Sequence, residues 1–385
     1  MALALEVVRA VYDGKMPTNE FVVDLRAISR NLETVRTRGG GRAVIAAVKG
    51  DAYGHGLLPV AKHIEPQVMG FGVATATEAI TLREAGISRL ILKLTPPFPD
   101  ELPTLLRHDV SLAIGSLRNI APAAEAARRL NTVAKLHLNI DTGIHRVGIA
   151  PEDVRQAVEE ISADPHLHLE GVMTHFAVAD VEEGREFTAL QRERFVEAVA
   201  RVREICDVEW VHSGNSAGAL NHDLGDDNAI RPGIALYGSA PEMNRAETGL
   251  LEQVARWTSR ITLVKTVQAG EGVSYGLTWR APQDTRIATV TVGYGDGFSR
   301  LNSSRGRVLI DGRSYPVVGR VCMDQILVDL GPDSNVQEDA EVVLLGASGD
   351  QRITPQDMAD LMGTIPYEVT CLVTSRVRRR YLSGS

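Results

Sequence analysis

A TIM-type (β/α)8 barrel followed by a mainly β domain is the fold class the sequence predicts, on three observations. Between Phe21 and about residue 237, short β-branched apolar runs alternate with longer amphipathic stretches, the pattern of βα units on a parallel sheet. Eight such runs occur within about 200 residues, the number that closes a barrel. Beyond residue 247 the helical stretches drop out and strand-like runs follow one another directly. A doubly wound open sheet is the alternative, but no G-x-G-x-x-G follows any of these runs.

The eight runs are residues 44–48, 69–73, 90–94, 110–114, 135–140, 169–174, 208–212 and 229–231. Each precedes a polar or glycine-bearing turn, and most precede an amphipathic helix. Examples are 78–85, 187–205 and 151–161, the last with Pro151 in its first turn and acids beside it. The first domain is thus expected over 1–247 and the second over 248–385. In the second, strands are expected at 260–267, 286–292, 307–310, 315–318, 325–330 and 340–345, with Asp311-Gly312 as a hairpin turn. A helix at 354–362 and a last strand within 367–377 complete it, and the arginine-rich 376–380 is expected to alternate solvent-facing side chains. No low-complexity linker divides the two domains.

Composition narrows the function. With 44% hydrophobic and 23% charged residues among 385, the chain is an ordinary globular protein, and a net charge of −8 argues against nucleic acid as a partner. Cys206, Cys322 and Cys371 are too few for a disulfide framework and lack metal-ligand spacing, which points to a reducing cytoplasm and no metal. The apolar Met1-Ala2-Leu3-Ala4-Leu5 meets Glu6 at once, unlike a secretory signal, and no apolar run reaches the ~18 residues of a membrane span.

The stretch that suggests chemistry is Ala43-Val44-Ile45-Ala46-Ala47-Val48-Lys49, followed by Gly50-Asp51-Ala52-Tyr53-Gly54-His55-Gly56. It reads as a buried parallel strand delivering Lys49 into a polar site. Barrel enzymes place reactive groups at the C-terminal ends of their strands and phosphate near the loops after strands seven and eight. Arg146 follows the fifth run and His175 ends the sixth. Ser216 follows the seventh, and Arg231-Pro232-Gly233-Ile234 follows the eighth, where glycine lets backbone approach an anion. A lysine above a phosphate cradle suggests a Schiff base to pyridoxal 5'-phosphate, which needs one amine and one anion site. Nucleotide is disfavoured because no Walker loop is present.

Residues 47–56 closely resemble the pyridoxal-phosphate signature of the alanine racemases, of fold type III, and the likeness extends over nearly the whole chain. His212-Ser213-Gly214-Asn215-Ser216, residues 231–238, Gly272-Val273-Ser274-Tyr275-Gly276, Gly293-Tyr294-Gly295-Asp296-Gly297-Phe298 and Gly319-Arg320-Val321-Cys322-Met323-Asp324 resemble further motifs in the family's order. The resemblance implies a cytoplasmic isomerase interconverting L- and D-alanine, a source of D-alanine for peptidoglycan precursors. It also implies a homodimer in which the second domain completes the partner's site. Carried over by position, Lys49 is the Schiff-base lysine and one catalytic base, and the partner subunit's Tyr275 is the other. Tyr53, Ser216, Gly233, Ile234 and Tyr367 fall to the phosphate, Arg231 to the pyridine nitrogen, Arg146 to the phenolic oxygen and His175 to a stack against the ring. Met323 contacts substrate through its backbone, while Tyr294, Tyr367, Arg300, Arg320 and Asp180 line the approach corridor.

The chemistry agrees with that assignment. Racemisation removes the α-proton from one face and returns it to the other, so two bases on opposite faces suffice. Tyrosine has a reference pKa near 10, and Arg146, or Arg231 through His175, would lower it. Arginine at the ring nitrogen donates a hydrogen bond without protonating it, which limits side transamination. One departure is Asn139, where many relatives carry a carbamylated lysine facing the arginine equivalent to Arg146, so an anion such as chloride is expected there instead. The rival readings are a serine or broad-specificity racemase, a decarboxylase of the same fold type, and a non-enzymatic carrier, which would be a barrel alone. Of the remaining polar residues, His137, His166 and His168 are expected on strand surfaces and His55 at the start of a helix. Cys322 is expected buried, and Asp141 and Asp324 as groups that orient loops or basic neighbours.

Overall fold

The computed structural model describes residues 18–247 and 249–383. They form two compact units, Leu25–Glu252 and a second made of the described residues up to Asp24 with those from Gln253 onward. The first strand, β1 (Asn19–Asp24), lies in the second unit, so the barrel unit starts at Leu25 and ends at Glu252 rather than spanning 1–247.

The Leu25–Glu252 unit is the expected barrel. Its strands are β2 (Ala43–Ala47), β3 (Gly70–Val73), β4 (Leu90–Lys93), β5 (Ser111–Ile114), β6 (Ala134–Asn139), β7 (Leu167–Met173), β8 (Trp210–His212) and β9 (Ala229–Ile230). Neighbours in sequence pair in parallel from β2 through β8, and β9 returns to β2 with Ala43 opposite Ala229 and Val44 opposite Ile230. At the β8–β9 seam Asn228 takes the place of a ladder. Its N–H donates to Val211 O (3.0 Å), its Oδ1 accepts from Val211 N (2.9 Å), and its Nδ2 donates to Glu209 O (2.7 Å). Ile45, Leu92, Ala113 and Met173 pack together in the buried core. The helix expected at 78–85 runs Ala76–Glu84, starting earlier because Thr75 and Glu78 form a reciprocal capping box. The other two expected helices run Val154–Ala163, after a short turn at Pro151–Asp153, and Arg185–Arg203.

The second unit contains β10 (Ala255–Val267), β11 (Gly272–Val273), β12 (Trp279–Arg280), β13 (Thr285–Val290), β14 (Arg307–Ile310), β15 (Arg313–Pro316), β16 (Ile326–Gly331), β17 (Glu341–Ser348), β18 (Gln351–Ile353) and β19 (Arg378–Leu382). Its main sheet runs β15-β14-β17-β10-β1-β19, with β13 bridging β10 to β16 and β18 on β17. Asp311 and Gly312 between β14 and β15 have φ of 48° and 76°, the two positive values a tight hairpin needs. Trp257 anchors the core, edge-on to Phe21 (6.4 Å) and Phe298 (6.1 Å). The strand expected within 367–377 is not there. Pro366 opens a helix, Pro366–Cys371, and the strand waits for Arg378, where it pairs in parallel with β1. The alternation of the terminal arginines holds, with Arg378 and Arg380 exposed and Arg379 turned in over Phe21. Among the described residues no helix is long and apolar enough to cross a membrane.

Candidate active site

Lys49 lies just past β2, half-buried, where Val48 N–H donates to Gly72 O (2.9 Å). The backbone beyond it departs from anything the sequence signalled. Gly50, Asp51, Ala52 and Tyr53 have φ of 64°, 54°, 54° and 55°, a left-handed helical turn. Left-handed conformation costs an L-residue roughly 1–2 kcal/mol, and three of these four are not glycine. Internal bonds from Ala52 N to Val48 O (2.8 Å) and Gly54 N to Gly50 O (2.9 Å) offset part of that cost, as does Leu57 N donating to Asp51 Oδ1 (2.7 Å). The turn carries Tyr53 inward, where its ring stacks on Tyr237 at 4.9 Å. Tyr237 also stacks on the buried His55 (4.7 Å) and donates to Ala47 O (2.9 Å). His55 is thus packing under the turn.

After the seventh and eighth barrel strands the two loops interlock. Ser216 Oγ accepts from Gly233 N (2.9 Å) and Ala235 N (3.3 Å), while Arg231 N–H donates to Gly214 O (2.7 Å). A Cβ on Gly233 would stand 2.3 Å from the Tyr53 hydroxyl, so only glycine admits the tyrosine there. Tyr53, Ser216, Gly233 and, by sequence, Ile234 therefore share one corner of the barrel mouth.

Arg231 is buried and its contacts set the electrostatics. Nη1 donates to His212 Nδ1 (2.8 Å) and His212 O (2.5 Å), and Nη2 to Thr174 O (2.5 Å). Because His212 Nδ1 accepts, its proton sits on Nε2 and points to His137 Nδ1 (2.8 Å). His137 in turn places its Nε2 proton on Glu170 (3.0 Å), which also accepts from Ser111 Oγ (2.5 Å). Two imidazoles thus connect the arginine to a buried carboxylate. Burial pushes His212 well below the usual histidine range, reinforced by Arg231 and His137. Burial likewise lowers Arg231 to about 10, against the raising effect of Asp227. His137, expected on a strand surface, is fully buried in this chain of hydrogen bonds, a correction the alternating sequence around it could not supply.

His175 binds the site together. Its pKa falls to about 3, first through burial and then through Arg231, Arg146 and Lys49, so all three cations bear on one neutral ring. Arg231 Nη2 lies 3.5 Å from its Nδ1. Arg146 is exposed, on a loop that Asp141 orders by accepting from Gly143 N (3.0 Å), His145 N (3.0 Å) and the His145 ring (3.0 Å), the loop-orienting role expected of it. Asn139 donates to Val147 O (3.2 Å). Asp180 is exposed.

In the second unit Tyr275 sits 71% exposed on a strained turn, with Ser274, Gly276 and Leu277 all at positive φ (65°, 75° and 46°). Ser274 Oγ ties this turn to Arg320 O (2.6 Å), and the Arg320 guanidinium packs over Gly276. Met323 O accepts from Gly295 N (2.9 Å), fastening the Met323 loop to the Tyr294 loop. Asp324 pairs with Arg376 (2.7 Å), while Cys322 is half-buried rather than buried. Tyr294, Tyr367, Arg300 and Arg320 are exposed. Glu78, the left-handed turn and the Glu170–His137–His212 chain are the features sequence reasoning missed. The only local signal was the Thr75-x-x-Glu78 spacing of a capping box.

A lysine at the mouth of a parallel barrel, close to arginines and flanked by hydroxyl and glycine loops after its last two strands, is the arrangement of a barrel enzyme with its reactive groups at the C-terminal ends of the strands. Family models described as alanine racemase, N-terminal domain and alanine racemase, C-terminal domain match residues 23–241 and 254–381. The alanine racemase of Cutibacterium acnes is 42% identical over 364 residues, covering 94% of this chain and 97% of the relative. That of Geobacter sulfurreducens is 40% identical over 369 residues, covering 94% and 97%. Among solved structures, alanine racemase from Clostridium difficile superposes with a TM-score of 0.89 at 33% identity, covering 96% of each chain. The enzyme from Bacillus anthracis with bound L-Ala-P gives 0.89 at 34%, also covering 96% of each. The chain belongs to the alanine racemase family, a family of isomerases.

Proposed function

We propose that this chain interconverts L-alanine and D-alanine with pyridoxal phosphate as its cofactor, as a cytoplasmic homodimer supplying D-alanine for peptidoglycan precursors. The observation that carries the reading is the convergence of Lys49, Arg146 and Arg231 on a neutral His175. That donor set suits an aldehyde-bearing phosphate ester. Lys49 would hold its aldehyde carbon, and Ser216, Gly233, Ile234, Tyr53 and Tyr367 its phosphate. Arg231 would take the ring nitrogen, His175 a ring face and Arg146 the phenolic oxygen. When bound, the cofactor draws electron density from the substrate's Cα and so acidifies the Cα–H.

The chain's own groups then set the outcome. The Lys49 amine and the phenol of the partner subunit's Tyr275 flank Cα on opposite faces, each removing or returning its proton. Arg231, its guanidinium held in place by His212, cannot surrender a proton at neutral pH, so electron withdrawal stays shallow and transamination is suppressed. Asn139 is a neutral amide and cannot balance Arg146, so an anion such as chloride fills that role. Met323 presents its backbone to the substrate, and Asp180, Tyr294, Arg300 and Arg320 line the approach. A serine or broader racemase shares this geometry, whereas decarboxylases of the fold place an acid opposite the ring nitrogen, which Arg231 disfavours. Incubating the purified protein with L-alanine, L-serine and L-lysine while following optical rotation and carbon dioxide tests the proposal. Rotation lost fastest with L-alanine and no gas is expected, and gas release or a preference for serine overturns it.

A further inference from the structure

We propose that Glu78 is the positioning residue for Lys49, holding the left-handed turn on which the lysine and Tyr53 are mounted; the inference rests on the reading of Lys49 as the cofactor-binding lysine. A left-handed turn of mostly non-glycine residues does not persist by its own local preference and must be held by its surroundings. Its first two N–H groups, those of Gly50 and Asp51, lie at the start of the turn, where a helical ladder supplies no acceptor. Both reach Glu78 Oε1, at 2.6 and 3.4 Å. The other oxygen, Oε2, accepts from Ala74 N (2.9 Å) and Thr75 N (3.2 Å) at the start of the glutamate's own helix.

The division of labour between the two oxygens is what points beyond capping. A capping box needs only the bond to Thr75 N, with Thr75 Oγ accepting from Glu78 N (3.2 Å) in return. The shortest of the four bonds instead goes to Gly50, the residue next to Lys49 and 28 positions away. Four donors converge on one side chain, so only an acceptor on both oxygens satisfies them. A glutamine would turn its NH2 towards one pair of N–H groups. One carboxylate thereby ties the loop after β2 to the loop after β3 and holds the backbone from which Lys49 projects.

The test compares Glu78→Gln, Glu78→Ala and Thr75→Ala. Hydrogen exchange over residues 49–56 is measured on the cofactor-free proteins, and pyridoxal phosphate affinity and alanine kinetics on the loaded ones. Both Glu78 variants are expected to exchange Gly50 and Asp51 at least about tenfold faster than the parent and to bind cofactor at least about tenfold more weakly, the scale of a lost charge-assisted hydrogen bond. Their kcat is expected to fall with little change in KM. Thr75→Ala loses the helix cap but keeps both bonds to the turn, so it should melt earlier with exchange at 49–56 unchanged. Equal exchange and affinity in the Glu78 and Thr75 variants overturns the proposal, and if Glu78→Ala does not fold, the isosteric Glu78→Gln decides alone. Borohydride reduction of the loaded parent, followed by peptide mapping, separately tests the reading of Lys49. A label elsewhere sinks that reading while the exchange comparison still decides on Glu78.

Discussion

At the scale of the residue, a histidine surrounded by three cations is a liability in acid. His175 has a pKa near 3 in the fold against 6.5 in the unfolded chain, so below 6.5 the unfolded state binds a proton that the folded state refuses. Stability therefore falls as pH drops from 6.5 towards 3, by about 1.4 kcal/mol per unit for this one group. His175→Asn should flatten the slope of stability against pH between 6 and 4.5 by up to about one proton, read from urea denaturation at several pH values. An unchanged slope would mean the ring is protonated in the fold. Arg231→Glu tests the other cation. A carboxylate would keep the ring nitrogen protonated, so pyruvate formation should rise relative to racemisation. The loss of donors to His212 and Thr174 should also cost about 3 kcal/mol or more. An unchanged product ratio counts against the role given to Arg231. Lys49, Arg146, His175 and Arg231 were all legible in the sequence because each ends or follows an apolar run. His137 was not, since inside and outside positions of a short barrel strand look alike until the sheet closes.

At the scale of the element, the site depends on close approach between loops. Gly233→Ala would drive a methyl into the Tyr53 hydroxyl at 2.3 Å and into the ring carbon behind it at 2.9 Å. Tyr53 is clamped by its stack on Tyr237, so it cannot yield freely. Cofactor affinity, measured by fluorescence titration, should fall at least about tenfold, and adding Tyr53→Phe should recover part of the loss. No change in affinity would show that the loop has slack. The hairpin at Asp311-Gly312 was readable because its turn chemistry is local. The end of the chain was not, because Pro366–Cys371 and a strand compete for the same residues, and the strand at Arg378 depends on a partner, β1, more than 350 positions earlier.

At the scale of the molecule, the proposed homodimer is open to a direct test. Tyr275, Leu277, Tyr294, Leu301, Met323 and Ile365 of the second unit are all at least 43% exposed. If the partner subunit's Tyr275 completes each site, two inactive variants should complement one another. Mixing Lys49→Ala with Tyr275→Phe after dissociation should restore up to about a quarter of wild-type activity, since half the dimers are mixed and each has one intact site. No recovery, with exchange verified, would put both bases in one chain. Tyr275→Phe alone should impair proton removal from one enantiomer more than from the other, measured by solvent deuterium entry, and equal loss from both would contradict a two-base division.

By itself the sequence determined the barrel, the β domain and which polar groups stand at the ends of the barrel strands, because alternation, strand-end position and local glycine are properties of neighbours along the chain. Tertiary structure alone decided the left-handed turn beneath Lys49, the carboxylate of Glu78 that caps it, the relay from Arg231 to Glu170 and the transfer of β1 to the second sheet. The Glu78 contact that holds the turn, the relay and the β1 pairing each join residues separated by 19 positions or more through hydrogen bonds that exist only once distant segments lie side by side.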